Sequence, residues 1–349
     1  MNRQFVRLIA IVVSLLLIAP STVPATVDTT GQQASSFEER RLCSDAVPTG
    51  EITDAAETLA AAQSGAELGA CDAYRSGAQF TSRHYEQAFY GARDGAIEAV
   101  RAANNTENYE LIDVQSAARG AARGALANAQ GVAPEVVYNV AYGGAFGSLR
   151  AIDVDNYSAS FAEAAAEGGV VGALSTGRES GGSVTTLTHA AYGGAAGAML
   201  GVGQDYNESV SLGLSGAILV RPVAASTPGS GNAGSSAPSQ TPDGVVLSAA
   251  GGASGAVEAT QRHTARGIQV APAETTAAAL GSAWSASNSG SSETQSSELG
   301  RAASVGASEA LAAYTTEQSV VTGASSTAEG VNELLRSAYD YTTEALGVR

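Results

Sequence analysis

The stretch His189-Ala190-Ala191-Tyr192-Gly193-Gly194-Ala195-Ala196-Gly197-Ala198-Met199-Leu200 decides the fold. Its kernel is a small residue, three spacers, then Gly-Ala or a close substitute. Gly193/Gly197 carries it here. Full copies stand at Gly65/Gly69, Gly91/Gly95, Gly120/Gly124, Gly143/Gly147, Gly168/Gly172 and Gly251/Gly255. Looser copies are Leu212/Gly216, Ala277/Gly281, Ala302/Gly306 and Ser326/Gly330. Successive second glycines mostly lie 23 to 29 residues apart. The step from Gly197 to Gly216 is short and the step to Gly255 is long, and together they span two repeats. A period in this range reads as a repeat array.

Glycine inside a helix costs about 1 kcal/mol relative to alanine. Some ten copies forfeit roughly 10 kcal/mol, as much as the whole net stability of a domain. Something must offset that. On a helix, residues four apart share a face, so each kernel makes a flat stripe that another backbone can approach closely. Membrane helices use the same device, and the steric logic also holds in water. Compositional bias alone would leave no period.

Composition narrows the possibilities. The 349 residues suffice for two ordinary domains or one array. Aromatics are only 5%, and much of the apolar content is alanine, so the core must be thin and close-packed. The formal net charge is −16, and every basic residue is arginine. An acidic chain without lysine argues against nucleic-acid phosphates and anionic membrane surfaces. Such a chain suits high salt, where self-repulsion is screened, and points to a halophile.

Residues 1–25 read as a signal peptide. Arg3 and Arg7 are its basic region, Val6 to Ile18 its apolar run, and Val23-Pro24-Ala25 a small-residue cleavage site. Cys43 and Cys71 are the two cysteines, and in an exported chain they pair most simply with each other. That places the expected localisation outside the cell or on its surface.

Residues 26–54 form an N-terminal lead-in without period. A first helical array is expected over 55–222. Its polar connections include Asn104–Asn108, Gln130–Pro134, Asp153–Asn156, Gly177–Ser183 and Gln204–Asn207. Connections this short make neighbouring helices antiparallel. Three N-glycosylation sequons begin at Asn104, Asn156 and Asn207, 52 and 51 residues apart. That is twice the helical period, so alternate connections resemble each other, as they must if they share one edge. Residues 223–244 are Ser/Gly/Pro-rich and read as a flexible linker that gives the two halves independent reach. A second array is expected over 245–349, with polar residues from Glu333 to Arg336 as an end cap.

Motifs for catalysis are few. Without lysine there is no phosphate-loop, Schiff-base or Ser-x-x-Lys chemistry. His84, His189 and His263 lie in different copies and read as packed or capping residues. Asp153-Val154-Asp155-Asn156 lacks the closing glutamate of a calcium loop. Ser183 to Gln204 carries no charge over 22 residues, but its many Gly, Thr and Ala make membrane insertion weak.

The sequence therefore predicts an all-α repeat array of short antiparallel Gly/Ala-rich helices, about 25 residues per helix and 51 per pair. The helix-packing residues are Gly69, Gly95, Gly124, Gly147, Gly172, Gly197, Gly216, Gly255, Gly281, Gly306 and Gly330. The expected function is a secreted, non-enzymatic structural or interaction protein of a cell surface, extracellular assembly or virion. It has no cofactor, metal or nucleic acid, and works through a protein or glycan partner or self-association. The alternative is a membrane-active protein that inserts small-xxx-small helices.

Overall fold

The computed structural model describes residues 50, 52, 54–103, 109–152, 159–203, 212–213, 219–220, 241–289, 296–318 and 328–347. The fold is all-α. Among the described residues ten helices run in order: α1 Ala55–Arg75, α2 Ser82–Ala102, α3 Leu111–Ala127, α4 Pro134–Arg150, α5 Ala159–Ser180, α6 Val184–Gly203, α7 Pro242–Ala265, α8 Pro272–Ser289, α9 Ser296–Gln318 and α10 Ala328–Leu346. Between α6 and α7, β1 (Leu212–Gly213) pairs antiparallel with β2 (Leu219–Val220), Leu212 opposite Val220.

The local signals are conventional. Asp54 caps α1 by accepting from the Ala56 and Glu57 amides at 2.7 and 2.8 Å. Thr81 and His84 form a reciprocal capping pair on α2. At the end of α1, Gly77 takes φ +85°, and Ala78 N donates back to Ala73 O at 3.0 Å. Gly267 repeats that arrangement after α7, with Ile268 N donating to His263 O at 3.0 Å. This is a Schellman stop, which needs a residue at home with positive φ.

The core is largely alanine. Ala62, Ala88, Ala117, Ala141, Ala165, Ala190, Ala253 and Ala278 are fully buried, and they belong to one apolar cluster running from Ala61 on α1 to Ala338 on α10. With so little side-chain volume, the helix backbones themselves must meet.

The glycines are where they meet. A Cβ on Gly65 or Gly69 would stand within 3.0 Å of the backbone of Gln115 or Arg119 on α3. The same holds for Gly91 and Gly95 against Tyr138 and Tyr142 on α4, and for Gly120 and Gly124 against Glu163 and Glu167 on α5. Gly143 and Gly147 meet Thr188 and Tyr192 on α6, and Gly168 and Gly172 meet Val246 and Ala250 on α7. Gly193 and Gly197 meet Thr276 and Leu280 on α8, and Gly251 and Gly255 meet Gly300 and Ser304 on α9. In each case an advance of four residues on one helix matches an advance of four on the other, so helices two apart in sequence run parallel. They also make the most extensive interfaces in the molecule.

The partner carbonyl usually lies five residues before the partner helix's own first kernel glycine. Gln115 precedes Gly120, Tyr138 precedes Gly143, Glu163 precedes Gly168, Thr188 precedes Gly193 and Val246 precedes Gly251. Five residues turn a helix through about 140° past a full circle. One side of each helix therefore offers the glycine stripe to the helix two ahead. The opposite side receives the stripe of the helix two behind.

The double glycines add a second interface. Gly169 faces the Ala191 carbonyl at 2.5 Å, Gly194 that of Ala249 at 2.6 Å, and Gly252 that of Ala279 at 2.6 Å, measured from where a Cβ would stand. These partners lie on the next helix, not the one after. Gly144 likewise meets Ala166 and Val170 on α5. α7 and α8 run in opposite directions: Gly252 lies near Ala279 and Ala283 while Thr260 bonds Thr275.

Among the looser copies, Gly281 meets Leu335 and Gly306 meets Thr342, both on α10, while Gly330 is buried within α10. The copy Leu212/Gly216 is corrected. Leu212 is in strand β1 and not a helix, and Gly216 lies outside the described residues. The end of the expected linker 223–244 is helical, and its residues 223–240 lie outside the described residues. α7 begins inside it, because Thr241 accepts from Gly244 N at 3.2 Å, Pro242 opens the helix and Asp243 faces its positive end. The halves do not reach independently. α5 and α6 pack on α7, and α6 packs on α8, within one core. Gly177, expected in a connection, is a buried residue of α5 against Leu187.

The sign of one substitution tests this packing. Gly172→Ala would gain about 1 kcal/mol of helix propensity, yet its methyl would collide with the Ala250 backbone. We expect a net loss of about 1–3 kcal/mol from overpacking, read as a lower denaturation midpoint. An unchanged or raised midpoint would mean that the interface is loose.

Candidate interaction surface

The odd-numbered helices carry a half-exposed line of charge. Arg119 on α3 reaches back to Asp72 on α1 at 2.7 Å and forward to Glu163 on α5 at 3.7 Å. Arg123, one turn on, binds Glu163 at 2.7 Å and also bonds Glu167. The glycine registers put these residues in line, since Arg119 and Glu167 are themselves contacted by Gly69 and Gly124. Burial works against the Arg123 charge, but Glu167, Glu163 and Asp72 outweigh it and hold its pKa up. Burial raises Glu163 more than Arg123 and Arg119 lower it. Exposed pairs of this kind add little stability each; as a network they fix the register of three helices.

A second cluster occupies α2 and α4. Arg93 binds Asp94 at 2.6 Å and stacks over Tyr90 at 4.8 Å, and Tyr138 donates to Asp94 at 3.1 Å. Tyr85, Phe89 and Tyr90 form a run of ring contacts at 6.1 and 5.2 Å. Burial, helped by the charge of Asp94, pushes the Tyr138 phenol up to about 12. Tyr74 and Tyr90 are exposed, on the two helices at the N-terminal end.

The histidines sit within the helix packing. His84 Nε2 donates to Val132 O at 2.8 Å while its Nδ1 accepts from Thr81 N. His189 Nδ1 lies 2.9 Å from Thr276 Oγ1, and burial lowers its pKa. Burial lowers His263 as well, with Arg266 and Arg262 adding to the effect. Among the described residues no three His, Cys, Asp or Glu side chains gather as metal ligands. None of the described helices is long and apolar enough to cross a membrane. A cavity of about 180 Å³ between α4, α5 and α6 is lined by Val132, Val136, Leu174, Arg178 and Leu187, with a mixed polar and apolar wall.

Two buried polar residues carry no sequence signal. Arg150 closes α4 at 5% exposure, with Nε and Nη1 unbonded. Asp113, at 7% exposure on α3, accepts from Glu110 N at 3.0 Å. Burial pushes the Asp113 carboxyl up to about 6, the Glu110 amide opposing and the Glu110 charge adding to it.

Of the sequence-predicted sites, Cys71 is buried on α1. Cys43, Asn104, Asn156 and Asn207 lie outside the described residues, as do residues 1–49 and 221–240. No protein-family model, curated protein or solved structure matches this chain.

Two measurements follow from the buried charges. The raised Asp113 pKa means that its protonated form supports the fold fully below about pH 3.8, and that this support is lost as pH rises through about 6. Asp113→Asn should therefore be more stable than the parent at pH 7–8 and flatten that slope, as read by denaturant titration at pH 4 and pH 8. Arg150→Met should leave stability unchanged or raise it, because a buried charge without an ion-pair partner among the described residues is replaced by an apolar chain. A loss above about 2 kcal/mol would show a hidden partner.

Proposed function

We propose that this chain is a secreted, non-enzymatic structural or interaction protein of a halophile, built as a two-sided array of antiparallel Gly/Ala helices. One observation supports this reading above others. A single alanine core joined by backbone-to-backbone contacts extends from α1 to α10. Such packing gives a stiff element whose flanks, not a cleft, meet partners. The acidic, lysine-free surface keeps it dispersed where salt screens charge. The sequons at Asn104, Asn156 and Asn207 fall in successive connections that lead from an even-numbered helix to the next odd one. Glycans there would decorate one edge and leave the charged flank of α1, α3 and α5 for a protein, glycan or second copy.

Intact-mass measurement of the protein recovered outside the cell tests the reading. The expected mass begins at Thr26, lacks two hydrogens for a Cys43–Cys71 bridge, and carries glycan on the three asparagines. A mass beginning at Met1 without sugar contradicts export. Flotation with liposomes at high salt tests the membrane-active alternative, and the structural reading expects no co-flotation.

A further inference from the structure

We propose that Arg150 and Tyr192 together bind a small monovalent anion of the halide class in the interior, beside the end of α4. Arg150 is the last residue of α4, and Tyr192 lies midway along α6. A Cβ on Gly147 would stand 2.4 Å from the Tyr192 carbonyl, and the Phe146 and Tyr192 rings are 5.6 Å apart. Arg150 follows Gly147 by three residues and Phe146 by four, so it shares their side of α4. The same close approach that seats Gly147 on α6 therefore brings the guanidinium beside the tyrosine. The Tyr192 phenol feels the charge of Arg150, and feels Tyr109, which stands just before α3.

Both side chains are deeply buried and hold donors with nothing to bond. Arg150 and Tyr192 are each 5% exposed. Arg150 Nε and Nη1 and the Tyr192 hydroxyl have no hydrogen-bond partner among the described residues. No carboxylate pairs with Arg150 among those residues either. Its buried sequence neighbours Leu149, Ala151 and Ile152 are apolar. A guanidinium taken out of water is strongly penalised unless its charge is met and its N–H groups are bonded.

Water could accept one of these hydrogen bonds, but it leaves the charge unbalanced. An anion does both: it accepts from the guanidinium and the hydroxyl together and cancels the positive charge. One guanidinium balances one negative charge. A sulfate or phosphate dianion would carry a second charge into apolar surroundings, so chloride is the occupant the chemistry favours. The net charge of −16 repels anions at low salt, and salt screens that repulsion. The site therefore fills as chloride rises. Neither export nor a macromolecular partner enters this inference, so it stands or falls separately from the proposed function.

The test measures unfolding of the full chain in sodium chloride and in sodium gluconate at equal high sodium, with gluconate as the anion too bulky for the site. The quantity read is the unfolding constant of the parent divided by that of Arg150→Met, in which solvent effects common to both chains cancel. In gluconate the variant should be at least as stable as the parent, as expected for an uncompensated charge. In chloride the ratio should fall about 10-fold, the change given by a ligand at about ten times its Kd. Tyr192→Phe keeps the ring against Phe146 and removes one donor, and it should lose part of the chloride response. Crystals grown in bromide should show an anomalous peak within hydrogen-bond distance of Arg150 Nε and the Tyr192 hydroxyl. A ratio that is the same in both salts, or an unchanged chloride response in Tyr192→Phe, overturns the proposal. So does a water at that place, or a carboxylate of Asp153 or Asp155 on the guanidinium.

Discussion

A carbonyl oxygen set against the Cα of a glycine on a parallel helix is the contact on which this structure depends. A side chain at that glycine would have to occupy the space of the partner backbone. The approach is close enough for Cα–H···O contacts, which are individually weak. Their main effect is to let whole helix surfaces touch, so that dispersion between backbones replaces the large side chains the sequence lacks. That is how a chain with few aromatics and an alanine core buries enough to fold.

The same constraint gives the molecule direction. From α1 to α7 each helix carries a stripe on one side, and from α3 to α7 a receiving surface lies about 140° away from it. The glycine doublets Gly143-Gly144, Gly168-Gly169, Gly193-Gly194 and Gly251-Gly252 split the work: the first glycine faces the helix two ahead and the second the helix next in line. Polar groups fill what the stripes leave. Gln115 bonds Ser64 at 3.0 Å, Ser285 bonds Thr343 at 2.9 Å, and the carboxylate–guanidinium line crosses α1, α3 and α5. On α10, Glu333, Arg336, Asp340 and Glu344 are exposed.

Much of this could be read in the sequence, because glycine inside a helix leaves few explanations other than close approach. The helix positions of Gly69, Gly95, Gly124, Gly147, Gly172, Gly197, Gly255, Gly281 and Gly306 follow from spacing alone. What came close did not follow. A stripe marks a narrow gap but not the helix that fills it, and spacing alone does not show that helices two apart are the partners. Thr241-Pro242-Asp243-Gly244 has the composition of a turn, yet the capping hydroxyl and the proline at N1 start a helix. Leu212 kept the spacing of a kernel without a glycine at its first position, and Leu212 itself is in a strand. Arg150 and Asp113 gave no warning, since a single charge in an apolar run looks the same whether it faces water or the core. The cysteine pairing and the sequons rest on compartment, which helical packing does not report.

The most direct measurement is the proton–proton contact map of glycine Hα atoms in protein labelled at glycine. For Gly172, Gly197 and Gly255, cross-peaks are predicted to backbone protons around Ala250, Leu280 and Ser304, on the helices two further along. Hα protons of these glycines that see only their own helix and water would contradict the account.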